Sequence, residues 1–188
     1  MISGPSGVGK STLCRRALKR VGAQCSVSAT TRRPRQNETD GVDYEFITPK
    51  EFERRRDAGE FLEWAEVFGH LYGTPAGPVR QAVAQGRTIL LEIDVQGGLQ
   101  VHRSYPDAVQ VFVLPPSMDR FSQALRDRLN HRGMDDAQEI ERRVGQARGE
   151  IEQARASGVY SYFVVNDDLD RAVDELVELI NKETACHD

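Results

Sequence analysis

Cysteine is scarce in this chain of 188 residues, and tryptophan occurs once. No stretch approaches the run of about 18 apolar residues that a membrane-spanning helix needs. The three cysteines, Cys14, Cys25 and Cys186, are scattered, odd in number and without metal-ligand spacing. Neither a disulfide framework nor a cysteine metal site is therefore expected. No charged-then-apolar leader opens the sequence. These absences point to a reduced, cytoplasmic setting with no membrane partner. Lysine is scarce too: of 25 basic residues, 4 are lysine and 21 arginine. The net charge of −4 argues against nucleic acid as a partner. Arginine's planar fork suits phosphate and carboxylate. A GC-rich genome would enrich arginine on any surface, so only the clustered arginines carry an argument.

What is present begins near the first residue. Gly4-Pro5-Ser6-Gly7-Val8-Gly9-Lys10-Ser11 satisfies the phosphate-loop pattern G-x-x-x-x-G-K-[ST] at every fixed position. Its glycines allow successive N–H groups to turn inward around an anion. The loop runs into helix-forming residues, Thr12 to Arg20, whose N-terminal dipole adds to the attraction. Lys10 would reach the β- and γ-phosphates of a nucleotide, and Ser11 would offer its hydroxyl to Mg²⁺.

The length and the 39% hydrophobic content suit one domain, with no second fold required. Met1-Ile2-Ser3 reads as the last residues of a buried strand, so the chain reads as starting within it. Gln24 to Ser28 is expected to be a strand and Thr30 to Val42, rich in Arg, Pro and Gly, a loop. Thr48-Pro49-Lys50-Glu51 combines a capping box with proline at the first helical position, so a helix should run to about Ala58. Glu60 to Phe68 reads as extended. Thr74-Pro75 reads as opening a further helix by the same device, ending near Gly86. Thr88 to Ile93, Val109 to Leu114 and Tyr160 to Val165 are near-continuous apolar strands of the kind covered on both faces. Helices are expected over Ser117 to about Asn130, about Asp135 to Ser157, and Leu169 to about Lys182, with a charged connector around Arg132-Gly133. The last helix carries Leu169, Ala172, Val173, Leu176, Val177 and Ile180 on one stripe. Strands alternating with helices give an α/β fold with a parallel sheet and sites at the strands' carboxyl ends.

A phosphate loop alone names no reaction. The chain lacks the N-K-x-D pattern of a GTPase and the length of an ATPase motor. It carries two further arginine clusters, one after the second strand and one between Arg126 and Arg143. That combination suits a site holding two phosphorylated ligands end to end. Ser26-Val27-Ser28-Ala29-Thr30-Thr31-Arg32-Arg33-Pro34-Arg35, followed by Gly41-Val42-Asp43-Tyr44, resembles the GMP-binding signature of guanylate kinases. Phe61-Leu62-Glu63-Trp64, Tyr72-Gly73-Thr74, Ile93-Asp94-Val95-Gln96-Gly97, Arg128 with Arg132-Gly133, and Val165-Asn166-Asp167-Asp168 match in order. The resemblance covers essentially the whole chain.

It implies a P-loop three-layer fold with a parallel sheet core (about 1–31, 88–125 and 158–188), a small mixed α/β GMP-binding region (32–87) and a helical lid (126–157). The activity implied is ATP + GMP giving ADP + GDP, with Mg²⁺ and with dGMP as a further acceptor. By position, Gly4 through Thr12 and Asn166 would bind ATP, while Arg32, Arg35, Tyr44 and Tyr72 would hold the GMP phosphate. Ser28, Glu63 and Thr74 would surround guanine, with Asp94 beside them. Arginine forks and tyrosine hydroxyls donate well to a phosphate dianion, and a carboxylate at Glu63 can accept from both N1–H and the amino group of guanine. Lys10, Arg128, Arg132, Arg143 and Asp94 are the catalytic candidates, the lid arginines acting on transition-state charge. Ser11 and Glu92 are the metal candidates. Many members of the family have aspartate where this chain has Glu92, and the extra methylene bears on whether a metal contact is direct, shifted or lost. Two rivals stand beside this reading: a catalytically silent guanylate-kinase-like module that binds phosphopeptides, and a nucleotide kinase of altered base preference. Lys10, Ser11 and both GMP arginines speak against the first, and Ser28, Glu63 and Thr74 against the second.

Overall fold

The computed structural model describes residues 1–132 and 137–185, without the side chains of 128–132 and 139. In chain order the elements begin with β1 (Ile2–Ser3), α1 (Lys10–Val21), β2 (Gln24–Cys25), β3 (Ala29–Thr30), β4 (Glu45–Phe46) and α2 (Pro49–Asp57). They continue with β5 (Phe61–Val67), β6 (His70–Pro75), α3 (Ala76–Ala84), β7 (Ile89–Leu90), α4 (Val95–Ser104) and β8 (Val111–Leu114). The remaining described elements are α5 (Met118–Arg132), α6 (Ala137–Ser157), β9 (Tyr162–Val165) and α7 (Leu169–Ala185). Packing groups Met1–Gly22 with Ala108–Asp188 in one unit and Ala23–Asp107 in another.

The first unit is built on a parallel sheet in the order β1-β8-β9. Central β8 is apolar along its length, and Val111, Phe112 and Val113 are buried, as a strand covered on both faces requires. Helix α7 buries Ala172, Val173, Leu176 and Val177, four positions of the stripe expected from sequence, and packs against α1 and β9. Arg16 pairs with Asp170, and Arg20 with Asp174 at 2.5 Å, along the exposed margin of the α1–α7 contact. Exposed pairs of this kind contribute about 0–1 kcal/mol each, so the apolar seam dominates. Helix α6 buries Ile140, Val144, Ala147, Ile151 and Ala154, alternating four and three residues apart, and packs on α5. Arg126 on α5 donates to both carboxylate oxygens of Glu141 on α6, at 2.5 and 2.9 Å.

The second unit carries a mixed sheet in the order β4-β3-β6-β5, with β3–β4 parallel and both β3–β6 and β5–β6 antiparallel. A two-residue turn, Phe68-Gly69, closes the β5–β6 hairpin with positive φ at both residues (51° and 73°). That combination matches the right-handed twist of the strands. Gln100 of α4 caps the outer edge of β5, its amide exchanging hydrogen bonds with the backbone N–H and C=O of Trp64. Of the stretch expected as a strand from Gln24 to Ser28, only Gln24–Cys25 is β2, which pairs in parallel with β7; β3 begins beyond it at Ala29, takes in Thr30 from the start of the expected loop, and joins the mixed sheet. Strand β7 is accordingly shorter than the expected Thr88 to Ile93.

Helix α2 starts as its sequence dictates, with the Thr48 hydroxyl accepting from Glu51 N–H at 3.2 Å and Pro49 at the first position. The parallel expectation for Thr74-Pro75 is corrected. Thr74 belongs to β6, and α3 begins at Ala76 with no side-chain cap. The threonine hydroxyl is committed elsewhere, to a carboxylate across the hairpin. The charged connector expected around Arg132-Gly133 lies, beyond Arg132, outside the described residues. Among those described, no helix is long and apolar enough to cross a membrane.

Candidate functional site

The phosphate loop leaves β1 at Gly4, where only glycine fits. Its φ is 152°, and a Cβ there would stand 2.6 Å from the carbonyl oxygen of Val113 on β8. Val8 N–H closes a turn onto Pro5 C=O at 3.2 Å, and Val8 is buried, so the loop is anchored from below. Lys10 folds over it, its ammonium donating to the carbonyls of Gly4 and Pro5, the latter at 3.1 Å. Ser6, Gly7, Ser11 and Thr12 are exposed. The first turn of α1 carries no acidic residue, which leaves the helix dipole to an anion. Asn166, just after β9, donates its amide to Val8 C=O at 2.7 Å and so braces the loop directly.

In the second unit, the loop between β3 and β4 gathers the acceptor-side candidates. Arg32 is largely covered and donates Nε–H to the Tyr72 hydroxyl at 3.2 Å. The Tyr44 ring lies 5.4 Å from its guanidinium carbon, and the Tyr44 and Tyr72 rings meet edge to face at 5.9 Å. Arg35 keeps 62% of its side chain exposed. Burial and then the charge of Glu92 push the Tyr44 hydroxyl pKa up to about 12, so it remains a donor at any working pH. Between the two arginines stands Glu38, which the sequence reading had passed over. Its carboxylate takes both terminal nitrogens of Arg32 at 2.8 and 2.9 Å and the backbone N–H of Arg35 at 2.7 Å. Burial, the largest single influence, would raise its pKa, but the hydrogen bonds from Arg32 and the Arg35 backbone together with the charges of both arginines outweigh it and hold the carboxyl below its usual range. The signal for Glu38 was the crowding of Arg32, Arg33 and Arg35, which calls for a nearby counter-charge.

Glu63 faces inward from β5 with 5% of its surface exposed. It stands opposite Thr74 on β6, and its Oε1 accepts from the Thr74 hydroxyl at 2.6 Å and the Thr74 N–H at 3.1 Å. No arginine or lysine reaches it among the ion pairs of the described residues. Burial raises its pKa to about 7, the Thr74 hydroxyl pulling the other way and the nearby Asp94 adding to the rise. Asp94 itself caps α4, accepting from Gly97 N–H at 2.7 Å. Gly97 brings α4 close to the Glu63 carboxylate: a Cβ there would collide with Glu63 Oε2. Ser28 sits just before β3, its carbonyl accepting from Glu45 N–H at 2.9 Å.

Glu92 is half-buried after β7. Among the described residues no three His, Cys, Asp or Glu side chains gather as a metal cage. Arg143 lies half-exposed on α6, and the side chains of Arg128 and Arg132 lie outside the described residues.

Gly97→Ala is therefore expected to destabilise the protein by about 1–3 kcal/mol through overpacking against Glu63. Gly149→Ala on α6, where a Cβ meets nothing within 4 Å, is expected to stabilise it by about 0.5–1 kcal/mol through the ordinary helix preference. Denaturant midpoints of the two variants check this, and equal shifts of the same sign would contradict the close approach at Gly97.

The family model described as guanylate kinase matches residues 1–183 of the chain. A guanylate kinase of Symbiobacterium thermophilum is 50% identical over 186 residues, covering 98% of this chain and 85% of the relative. One of Myxococcus xanthus is 47% identical over 184 residues, covering 97% and 85%. Among solved structures, guanylate kinase from Anaplasma phagocytophilum superposes with a TM-score of 0.74 at 31% identity, covering 97% of this chain and 84% of that one. With a complete phosphate loop, an arginine–tyrosine cluster and a buried carboxylate at the expected positions, the chain belongs to the guanylate kinase family.

Proposed function

We propose that this chain transfers the γ-phosphoryl group of ATP to GMP, giving ADP and GDP, with dGMP as a second acceptor. The observation that carries the identity of the acceptor is Glu63, a buried carboxylate that lacks a cationic partner among the described ion pairs and is fixed by Thr74. In its charged form it accepts from the N1–H and amino group of guanine, whereas adenine offers one donor and a lone pair at N1. Arg32, Arg35, Tyr44 and Tyr72 supply charge-assisted donors to the acceptor's phosphate, with Ser28 and Asp94 at the margins of the pocket.

On the donor side, Gly4 to Thr12 would wrap the phosphates of ATP. Lys10, which lies along the loop carbonyls, would follow the β- and γ-phosphates as a mobile point charge. Asn166 would line the approach to the adenine while bracing the loop. The donor set fits Mg²⁺, because that ion keeps several waters and the phosphate oxygens and asks the protein for only one or two ligands. Ser11 is the hydroxyl that would hold it, with Glu92 as a carboxylate candidate, and it would supply neutralisation of charge on the phosphates. Arg128, Arg132 and Arg143 belong to the proposed helical lid at 126–157, where they would meet charge on the transferring group. The acceptor region at 32–87 and a core of about 1–31, 88–125 and 158–188 would complete the three-part division. A cytoplasmic location accords with the scattered cysteines and with the absence of a membrane-spanning helix among the described residues.

A coupled ADP-release assay with GMP, dGMP, AMP and UMP tests this directly. GMP should exceed AMP in kcat/KM by about 10⁴-fold, the margin open to a site that pairs a substrate N–H. Glu63→Gln should lose most GMP activity and narrow that ratio, because the new amide places donors against donors. Equal use of GMP and AMP by the wild type would overturn the reading of Glu63. Lys10→Ala should lower turnover on the order of 10²-fold or more while calorimetry finds GMP binding largely kept. A matching loss of GMP affinity would contradict the separation of donor and acceptor sites.

A further inference from the structure

The guanidinium of Arg32 has two edges that can each present a pair of parallel N–H groups. The end edge, Nη1 with Nη2, is taken by Glu38, whose two oxygens stand 2.9 and 2.8 Å away. Nη1 also donates to Arg33 C=O at 2.8 Å. The side edge, Nε with the second N–H of Nη2, faces differently: Nε meets the Tyr72 hydroxyl at 3.2 Å. Since Tyr72 accepts there, its own O–H is left to donate onward. The same Glu38 carboxylate anchors the neighbouring arginine, accepting from its backbone N–H at 2.7 Å and lying 3.7 Å from its guanidinium, which is otherwise exposed. Arg32 and Glu38 are both mostly covered, with 13% and 16% of their side chains exposed.

We propose that Glu38 is a positioning residue of the acceptor-phosphate site: by occupying the end edge of Arg32 and tethering Arg35, it turns the side edge of Arg32, beside the Tyr72 hydroxyl, toward the phosphate of the nucleotide. This rests on the reading of Arg32, Arg35 and Tyr72 as the donors to that phosphate. A guanidinium held by a bidentate carboxylate has one orientation rather than many, and an aligned charge-assisted bond gains strength from that restriction. In this role Glu38 acts through Arg32 and Arg35 and would meet neither the base nor the transferring group. Its effect is therefore on binding at the phosphate end alone.

The test is steady-state kinetics with GMP, together with inhibition by guanosine, which carries the base and lacks the phosphate. Glu38→Gln should raise KM for GMP about tenfold to a hundredfold, the span of one charge-assisted hydrogen bond. The change should fall on KM rather than kcat, guanosine should inhibit as in the wild type, and Glu38→Asp should recover part of the loss. In an Arg32→Lys background, Glu38→Gln should add little, since the fork it orients is gone. A KM for GMP that stays the same or falls in Glu38→Gln, while Arg32→Lys raises it, would overturn the positioning role and leave the phosphate reading standing. Weaker inhibition by guanosine in Glu38→Gln would mean general collapse of the loop and overturn the proposal as well. An Arg32→Lys variant with wild-type KM would overturn both the phosphate reading and the role of Glu38.

Discussion

A buried carboxylate that has no cation among the ion pairs of the described residues is the constraint around which the second unit is arranged. Glu63 is 5% exposed, and its pKa is pushed up to about 7 from 4.5, a shift worth about 3 kcal/mol between its two protonation states. The sign follows from the direction of the shift. The folded state binds this proton more tightly than the unfolded chain does. Its stabilising contribution is full below about 4.5 and is lost as pH rises through about 7. Near neutrality the protein thus holds a partly charged group with one threonine as its direct support. A ligand bringing two N–H donors relieves that cost on binding, which ties recognition to stability.

Glu38 and Glu63 show how surroundings divide one side-chain type between two tasks. Glu38 sits against two arginines, is held in its charged form, and gives up its hydrogen-bonding capacity to the protein. Glu63 has a threonine on one oxygen and the glycine surface of α4 close to the other. On the proposed function, the first would stiffen the loop that meets the acceptor's phosphate, and the second would keep acceptor capacity in reserve for its base.

The features legible in the sequence were those set by local chemistry. The glycines of the phosphate loop answer to backbone geometry and to the close approach of β8 at Gly4. The Thr48 cap and the α7 stripe are likewise decided within a few residues. Strand β6 was missed because Tyr72-Gly73-Thr74 has no alternating pattern of its own and gains its conformation from pairing with β5 and β3. Thr74-Pro75 carried a helix-start signature, yet the hydroxyl served a carboxylate eleven residues away; tertiary context overrode the local signal. Glu38 was hidden for the same reason, since its tie to Arg32 exists only once the loop has folded. Of the site candidates, Arg32, Tyr44 and Tyr72 come together in one cluster, Glu63, Thr74 and Asp94 in another, and Asn166 joins the phosphate loop.

The most direct measurement is a titration of the Glu63 carboxyl by carbon-13 NMR, assigned with Glu63→Gln and repeated with saturating GMP. The expected midpoint is about 7 in the free protein, moving well down when GMP supplies donors to the charged form. A midpoint near 4.5 in the free protein, or one that GMP leaves in place, would contradict the role given to this buried carboxylate.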